Sequence, residues 1–138
     1  MKIQNSTDLD TEHLKALTSI LMKGSNRYLA KVTFRKCKRA FSGCYRHGFY
    51  GSSEIIVRLG DDVKYPYTMN TWHNKYYPRY IVNDKFELAI AILAHEIYHL
   101  KTRHSGTRRL KNTQIRAERF AMKTLQKIRA TFFEVESN

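Results

Sequence analysis

Apolar positions in the first third of the chain recur at helical spacing. Leu14, Leu17, Thr18, Leu21 and Met22 share one face of the segment Leu9 to Met22. Asp10 or Thr11 can cap its start, and Gly24-Ser25-Asn26 ends it. The period then shifts from helix to strand. Lys31-Val32-Thr33-Phe34-Arg35 alternates polar and apolar residues, Ser42-Gly43 reads as a turn, and Cys44-Tyr45-Arg46 reads as a short strand. Glu54-Ile55-Ile56-Val57-Arg58-Leu59, rich in β-branched residues and closed by Gly60-Asp61-Asp62, is the clearest strand. These runs predict a three-stranded, mostly antiparallel sheet. Val63 to Ile81, with Pro66 and Pro78 as breakers, reads as irregular, and so long a stretch in a compact domain is usually functional or mis-assigned.

Asp84 opens the most informative element. Asp84-Lys85-Phe86-Glu87 has capping-box spacing, and Leu88-Ala89-Ile90-Ala91-Ile92-Leu93-Ala94 follows without a polar residue. A helix apolar on every side belongs in the middle of a domain. After a break near Ser105-Gly106, a last helix is predicted from Leu110 to Ala130, with Leu110, Ala117, Glu118, Ala121, Leu125 and Ile128 on one face. The fold class is therefore α+β: an N-terminal helix, a small sheet, a buried helix and a C-terminal helix. The length of 138 residues suits a single domain, 1–138.

The buried helix runs directly into His95-Glu96-Ile97-Tyr98-His99, an H-E-x-x-H motif. Residues four apart lie one above the other on a helix, so two imidazoles can meet one metal ion. Zn2+ held there brings the pKa of a bound water to about 7, and Glu96 as general base would take its proton and pass it to a leaving amine. Three fixed residues in five recur by chance. Here, however, they extend an apolar helix, where two histidines and a glutamate are costly to bury without a partner. The bland alternative is a helix end at which all three face water.

A third protein ligand is needed. Glu118 stands on the apolar stripe of the last helix, where an unpaired carboxylate is out of place, and is the first candidate. Pairing with Arg116 or Arg119 is its ordinary explanation. His104 is the alternative third ligand, although on a continuing helix it points away from the His95/His99 face.

At this point the chain resembles the zincin metallopeptidases. H-E-x-x-H followed by Glu118-Arg119-Phe120-Ala121 resembles the gluzincins, whose third ligand lies in an E-x-x-A-[DN] pattern. Met122 stands at the final position, where the family has the side chain that orients a ligand histidine. A second register matches Ala117-Glu118 to the A-[DN] pair and puts Gln114 at the ligand position, and glutamine is a poor zinc ligand. The order of a helix, strands with Ser42-Gly43-Cys44-Tyr45, the Ile55 to Leu59 strand and the motif helix is similar to SprT-like zincins. Their third ligand is a histidine further downstream, and no histidine follows His104 here. The resemblance implies a zincin-like fold, a zinc cofactor and an endopeptidase acting on a protein or peptide substrate. It also implies a substrate strand added beside an edge strand, for which Ile55 and Val57 are the candidates. His73, Tyr76, Tyr77 and Tyr80 are candidate oxyanion donors, with ordinary packing as the alternative for each.

Charge adds a partner to this picture. The formal net charge is +13. No acid falls between Glu12 and Glu54, and Glu118 is the only acid from Lys101 to Arg129. Two such blocks suggest a polyanion, nucleic acid first, against the alternative of a solubilising surface. A peptidase acting on DNA-associated proteins accommodates both features. The rival is a basic nucleic-acid-binding module that keeps a zincin-like fold and a structural metal. The intact Glu96 argues against that rival, because a structural site has no use for the carboxylate. No apolar run is long enough for a membrane, and the polar start Met1 to Ser6 lacks the stretch of a secretory signal, so a cytoplasmic location is expected. In that setting Cys37 and Cys44 are expected as reduced thiols.

Overall fold

The structure is a computed structural model and describes residues 1–24, 29–47, 53–102 and 111–137. The chain opens with strand β1 (Lys2–Asn5), followed by helix α1 (Thr11–Met22) and strand β2 (Leu29–Cys37). Four residues of mixed polarity carry no readable alternation; β1 forms because β2 offers it a parallel partner, with Ile3 opposite Val32. Asp10 caps α1 by accepting the backbone N–H of His13 at 3.0 Å. The helix buries the face its spacing predicts, Leu14, Leu17, Thr18 and Leu21. Gly24, at φ +80°, turns the chain beyond its end.

Strands β3 (Phe41–His47) and β4 (Ser53–Gly60) complete a four-stranded sheet in the order β1-β2-β4-β3. β1 and β4 both run parallel to β2, and only β3 is antiparallel to its neighbour. The sheet is mixed, not the mostly antiparallel three-stranded sheet expected from the sequence, because α1 makes the crossover that parallel pairing requires. The fold class is α+β.

Two further expectations about the sheet are corrected. Ile55 and Val57 do not border a cleft. Both are 0% exposed in β4, which is bonded to β2 on one side and β3 on the other, so neither can take a substrate strand. A run of β-branched residues this continuous is what a strand covered on both sides carries. The edge beside the motif helix is β3. Ser42 and Gly43 lie within that strand and do not form a turn. Cys37 in β2 and Cys44 in β3 are free thiols. With β4 between them, their strands are two spacings apart, roughly 10 Å, beyond the reach of a disulfide.

The segment read as irregular contains a hairpin of strands β5 (Tyr67–Met69) and β6 (Tyr80–Val82), paired antiparallel with Thr68 opposite Ile81. Helix α2 (Lys85–Thr102) follows. Asp84 Oδ1 accepts the Glu87 N–H, and Glu87 Oε1 accepts the Asn83 N–H, each at 2.8 Å. The cap is therefore reciprocal, as its spacing predicts, but reaches one residue further upstream than a capping box. Leu88 to Ala94 are all buried, as a helix apolar on every side requires. α2 lies against β3 and β4 and against helix α3 (Lys111–Ser137), which presents Ile115, Ala117, Ala121 and Leu125 as its buried positions. Near its far end, Arg129 Nε donates to Glu87 Oε2 at 2.9 Å, tying α3 to the first turn of α2. No helix among the described residues is long and apolar enough to cross a membrane.

Candidate metal centre

Ala94, Ile97 and Leu100 lock the middle of α2 into the core, and this fixes the rotation of the helix. His95 and His99 then stand one turn apart on the side facing α3. Their Nε2 atoms are 3.1 Å from each other. Gln114 on α3 completes a triangle, with its Oε1 2.9 Å from His95 Nε2 and 3.2 Å from His99 Nε2. Gln114 occupies this position because it lies one helical turn before Glu118, on the stripe that continues through Ala121 and Leu125.

Glu118 meets the other nitrogen of the same ring. Its Oε1 accepts from His95 Nδ1 at 2.6 Å. Its Oε2 accepts from Asn70 Nδ2 at 2.7 Å and from the Tyr80 hydroxyl at 3.3 Å. Asn70 also donates to the carbonyl of Pro78 at 2.8 Å, across the neck of the hairpin loop. Its φ of +68° is one that asparagine tolerates better than most residues. Burial alone would push the Glu118 carboxyl up, but the donors His95, Asn70 and Tyr80 more than offset this and hold it below the usual glutamate value. Burial likewise works against a charged His95, and the hydrogen bond and charge of Glu118, with Glu96 nearby, outweigh it and raise the imidazole. Burial and then Glu118 drive Tyr80 far upward, so its phenol keeps the proton it donates.

These bonds leave a specific electrostatic demand at the triangle. With Nδ1–H of His95 committed to Glu118, Nε2 presents a lone pair toward His99 Nε2 and the amide oxygen of Gln114. A proton or a cation must sit among the three atoms. In the protein alone an N–H of one of the two rings can fill that role. A tetrahedral zinc with bonds of about 2.0–2.1 Å spaces its ligand atoms roughly 3.3 Å apart, close to the observed edges. The residues present therefore fit a divalent metal held by two imidazoles and an amide oxygen. Among the described residues no group of three or more His, Cys, Asp or Glu side chains could hold a metal ion. The third donor facing the histidine pair is neutral.

Glu96 is 7% exposed and sits at the wall of a cavity of about 280 Å³. His95, His99, Gln114 and Glu118 also line it, with Phe41, Ser42 and Gly43 of the edge strand opposite. Gly43 allows the close approach of β3 to α2. A Cβ there would lie 2.7 Å from Ile92 Cγ2 and 2.9 Å from Glu96 Oε1.

The structure thus brings His95, Glu96, His99 and Glu118 into one cavity. Glu118, expected as the third ligand, braces the back of His95 in this geometry, and Gln114 stands where the Nε2 atoms converge. The helical spacing of Gln114 and Glu118 carried that signal, and the preference for a charged ligand obscured it. His104 lies outside the described residues. His73, Tyr76 and Tyr77 do not line the cavity; His73 stacks on Tyr77 with centroids 4.2 Å apart. Tyr80 is buried and engaged with Glu118. Asn70 and Gly43 had no functional signature in the sequence. The chain matches no protein-family model, no curated protein and no solved structure.

Proposed function

We propose that this chain is a zinc-dependent endopeptidase of zincin-like architecture. His95, His99 and Gln114 hold the metal, Glu118 orients His95, and Glu96 is the general base. The observation that carries this reading is the convergence of His95 Nε2, His99 Nε2 and Gln114 Oε1 at 2.9–3.2 Å beside the buried carboxylate of Glu96.

Each residue has a task that its position supports. Glu118, charged and held by two further donors, keeps Nδ1 of His95 protonated and Nε2 free to ligate. A zinc bound by the triad supplies Lewis acidity and makes a water acidic enough to react near neutral pH. Glu96 takes a proton at its carboxylate and delivers it to the departing amine nitrogen, one group serving as base and then acid. Burial beside apolar Ile92 excludes bulk water, which strengthens these electrostatic interactions. The substrate is an extended peptide paired with β3, the sheet edge beside α2, whose Phe41-Ser42-Gly43 segment borders the cavity.

Metal content and turnover test this together. Elemental mass spectrometry of purified protein is expected to give about one zinc per chain. Glu96→Gln is expected to retain that zinc and lose about 100-fold or more in cleavage of an unfolded, fluorescence-quenched protein substrate. A metal-replete preparation without zinc, or cleavage unchanged in Glu96→Gln, would overturn the proposal.

A further inference from the structure

The loop between β5 and β6 contains a four-residue pattern that occurs twice in succession: Asn70-Thr71-Trp72-His73 and Asn74-Lys75-Tyr76-Tyr77. Each copy is a closed turn. The His73 N–H donates to the Asn70 carbonyl at 3.2 Å, and the Tyr77 N–H donates to the Asn74 carbonyl at 3.1 Å. Asn74 Oδ1 also accepts the Tyr76 N–H at 2.9 Å, and Asn70 clamps the neck of the loop to Pro78. The last residues of the two turns, His73 and Tyr77, stack on each other with ring planes only 16° apart. The third residues, Trp72 and Tyr76, point outward, 91% and 58% exposed.

A folded chain rarely presents a whole indole to water, and here a braced pair of turns holds it there. The segment between Asp62 and Asp84 contains no acid, while Lys64, Lys75 and Arg79 are exposed cations within it. Lys75 Nζ lies 5.3 Å from the centroid of the Tyr76 ring. Ordered aromatic faces interleaved with positive charge form the combination that binds single-stranded nucleic acid: bases stack on the rings and phosphates meet the cations. A duplex keeps its bases stacked internally and cannot use the rings in this way.

We infer that the tandem-turn loop Asn70–Arg79 is a docking platform for single-stranded nucleic acid, with Trp72 and Tyr76 as the base-stacking residues. The platform needs neither metal nor catalysis. Its stem, Asn70, is the residue that also holds Glu118, so a bound strand lies on a loop rooted in the candidate metal centre.

Trp72 is the only tryptophan in the chain and therefore reports directly. Its fluorescence is titrated with an oligothymidylate of about 12 nucleotides, a duplex of equal length, inorganic polyphosphate and a neutral oligosaccharide. The expected result is saturable quenching by the single strand and not by the other three, with affinity falling as salt rises. By anisotropy of the labelled oligothymidylate, Trp72→Ala and Tyr76→Ala each weaken binding about tenfold or more, with unchanged circular dichroism. Glu96→Gln binds as the wild type does, which separates this platform from the peptidase reading. Absence of quenching by the single strand would overturn the inference. So would equal quenching by duplex or polyphosphate, quenching by the oligosaccharide alone, or unaltered binding in Trp72→Ala.

Discussion

Nδ1 of His95 donates to Oε1 of Glu118 at 2.6 Å, and this bond decides which ring nitrogen faces His99. Orientation of a ligand histidine through its far nitrogen typically accounts for 10- to 100-fold in metal affinity. Glu118→Ala is therefore expected to weaken zinc binding by about 10- to 100-fold while leaving the fold intact. Asn70→Gly, which keeps the positive φ accessible but removes one donor to Glu118, should weaken it less and in the same direction. Competition against a chromophoric zinc chelator measures both. Wild-type affinity in Glu118→Ala would show that the carboxylate does not brace the ligand.

Gln114 makes the opposite prediction. In the proposed site the amide would offer the metal an oxygen without a charge, so the triad His95, His99 and Gln114 would leave the full positive charge of a divalent ion in place. Gln114→Glu keeps the shape and adds that charge. It is expected to tighten zinc binding roughly tenfold, about 1.4 kcal/mol, whereas Gln114→Ala should loosen it. The same chelator competition reads both variants. A metal held equally well by wild type, Gln114→Glu and Gln114→Ala would place the third donor elsewhere.

The two readings of α3 show what sequence could and could not convey. Helical spacing places both Gln114 and Glu118 on the face toward α2, and the apolar run into His95 marks α2 as buried; both facts are present in one dimension. Which residue meets Nε2 and which meets Nδ1 depends on the offset of α3 along α2, set by Ala117, Ala121 and Leu125 packing in three dimensions. The sheet divides in the same way. The β-branched run of β4 identifies a strand, but its neighbours come from residues far along the chain. β1 was invisible because Lys2 to Asn5 become a strand only beside β2. Gly43 has the composition of a turn, and only the crossing of β3 over Ile92 shows why a side chain is excluded there.

The tie between Glu87 and Arg129 predicts an acid-dependent loss of stability. The hydrogen bond from Arg129, aided by the Asn83 N–H and opposed by burial, holds the Glu87 carboxyl below its ordinary value of 4.5. A depressed folded-state pKa means that the stabilisation is present above the unfolded value and is lost as pH falls through the folded one. Glu87→Gln should thus be less stable than wild type at pH 7 by about 1 kcal/mol. The difference should shrink as pH drops below about 4.5. Urea denaturation at pH 7 and at a series of acidic pH values measures the gap. A gap that persists unchanged into acid would mean that Glu87 acts through its cap alone and not through its charge.

The close approach of β3 to α2 at Gly43 gives a packing test that needs no assumption about chemistry. In Gly43→Ala the new methyl would stand 2.7 Å from Ile92 Cγ2 and 2.9 Å from Glu96 Oε1. Ile92 is 6% exposed and belongs to a buried helix, so the strand must move instead. Overpacking of this kind costs about 1–3 kcal/mol, and the expected result is a lower urea midpoint with an unchanged slope. Ile92→Ala removes the Cγ2 that the methyl would strike, at its own cost of about 2–5 kcal/mol. If the clash is the cause, the two changes couple: adding Gly43→Ala on the Ile92→Ala background should cost less than on the wild type. Strict additivity in that cycle would show that β3 does not rest on Ile92. Retained stability of Gly43→Ala alone would show that the strand has room that this geometry denies it.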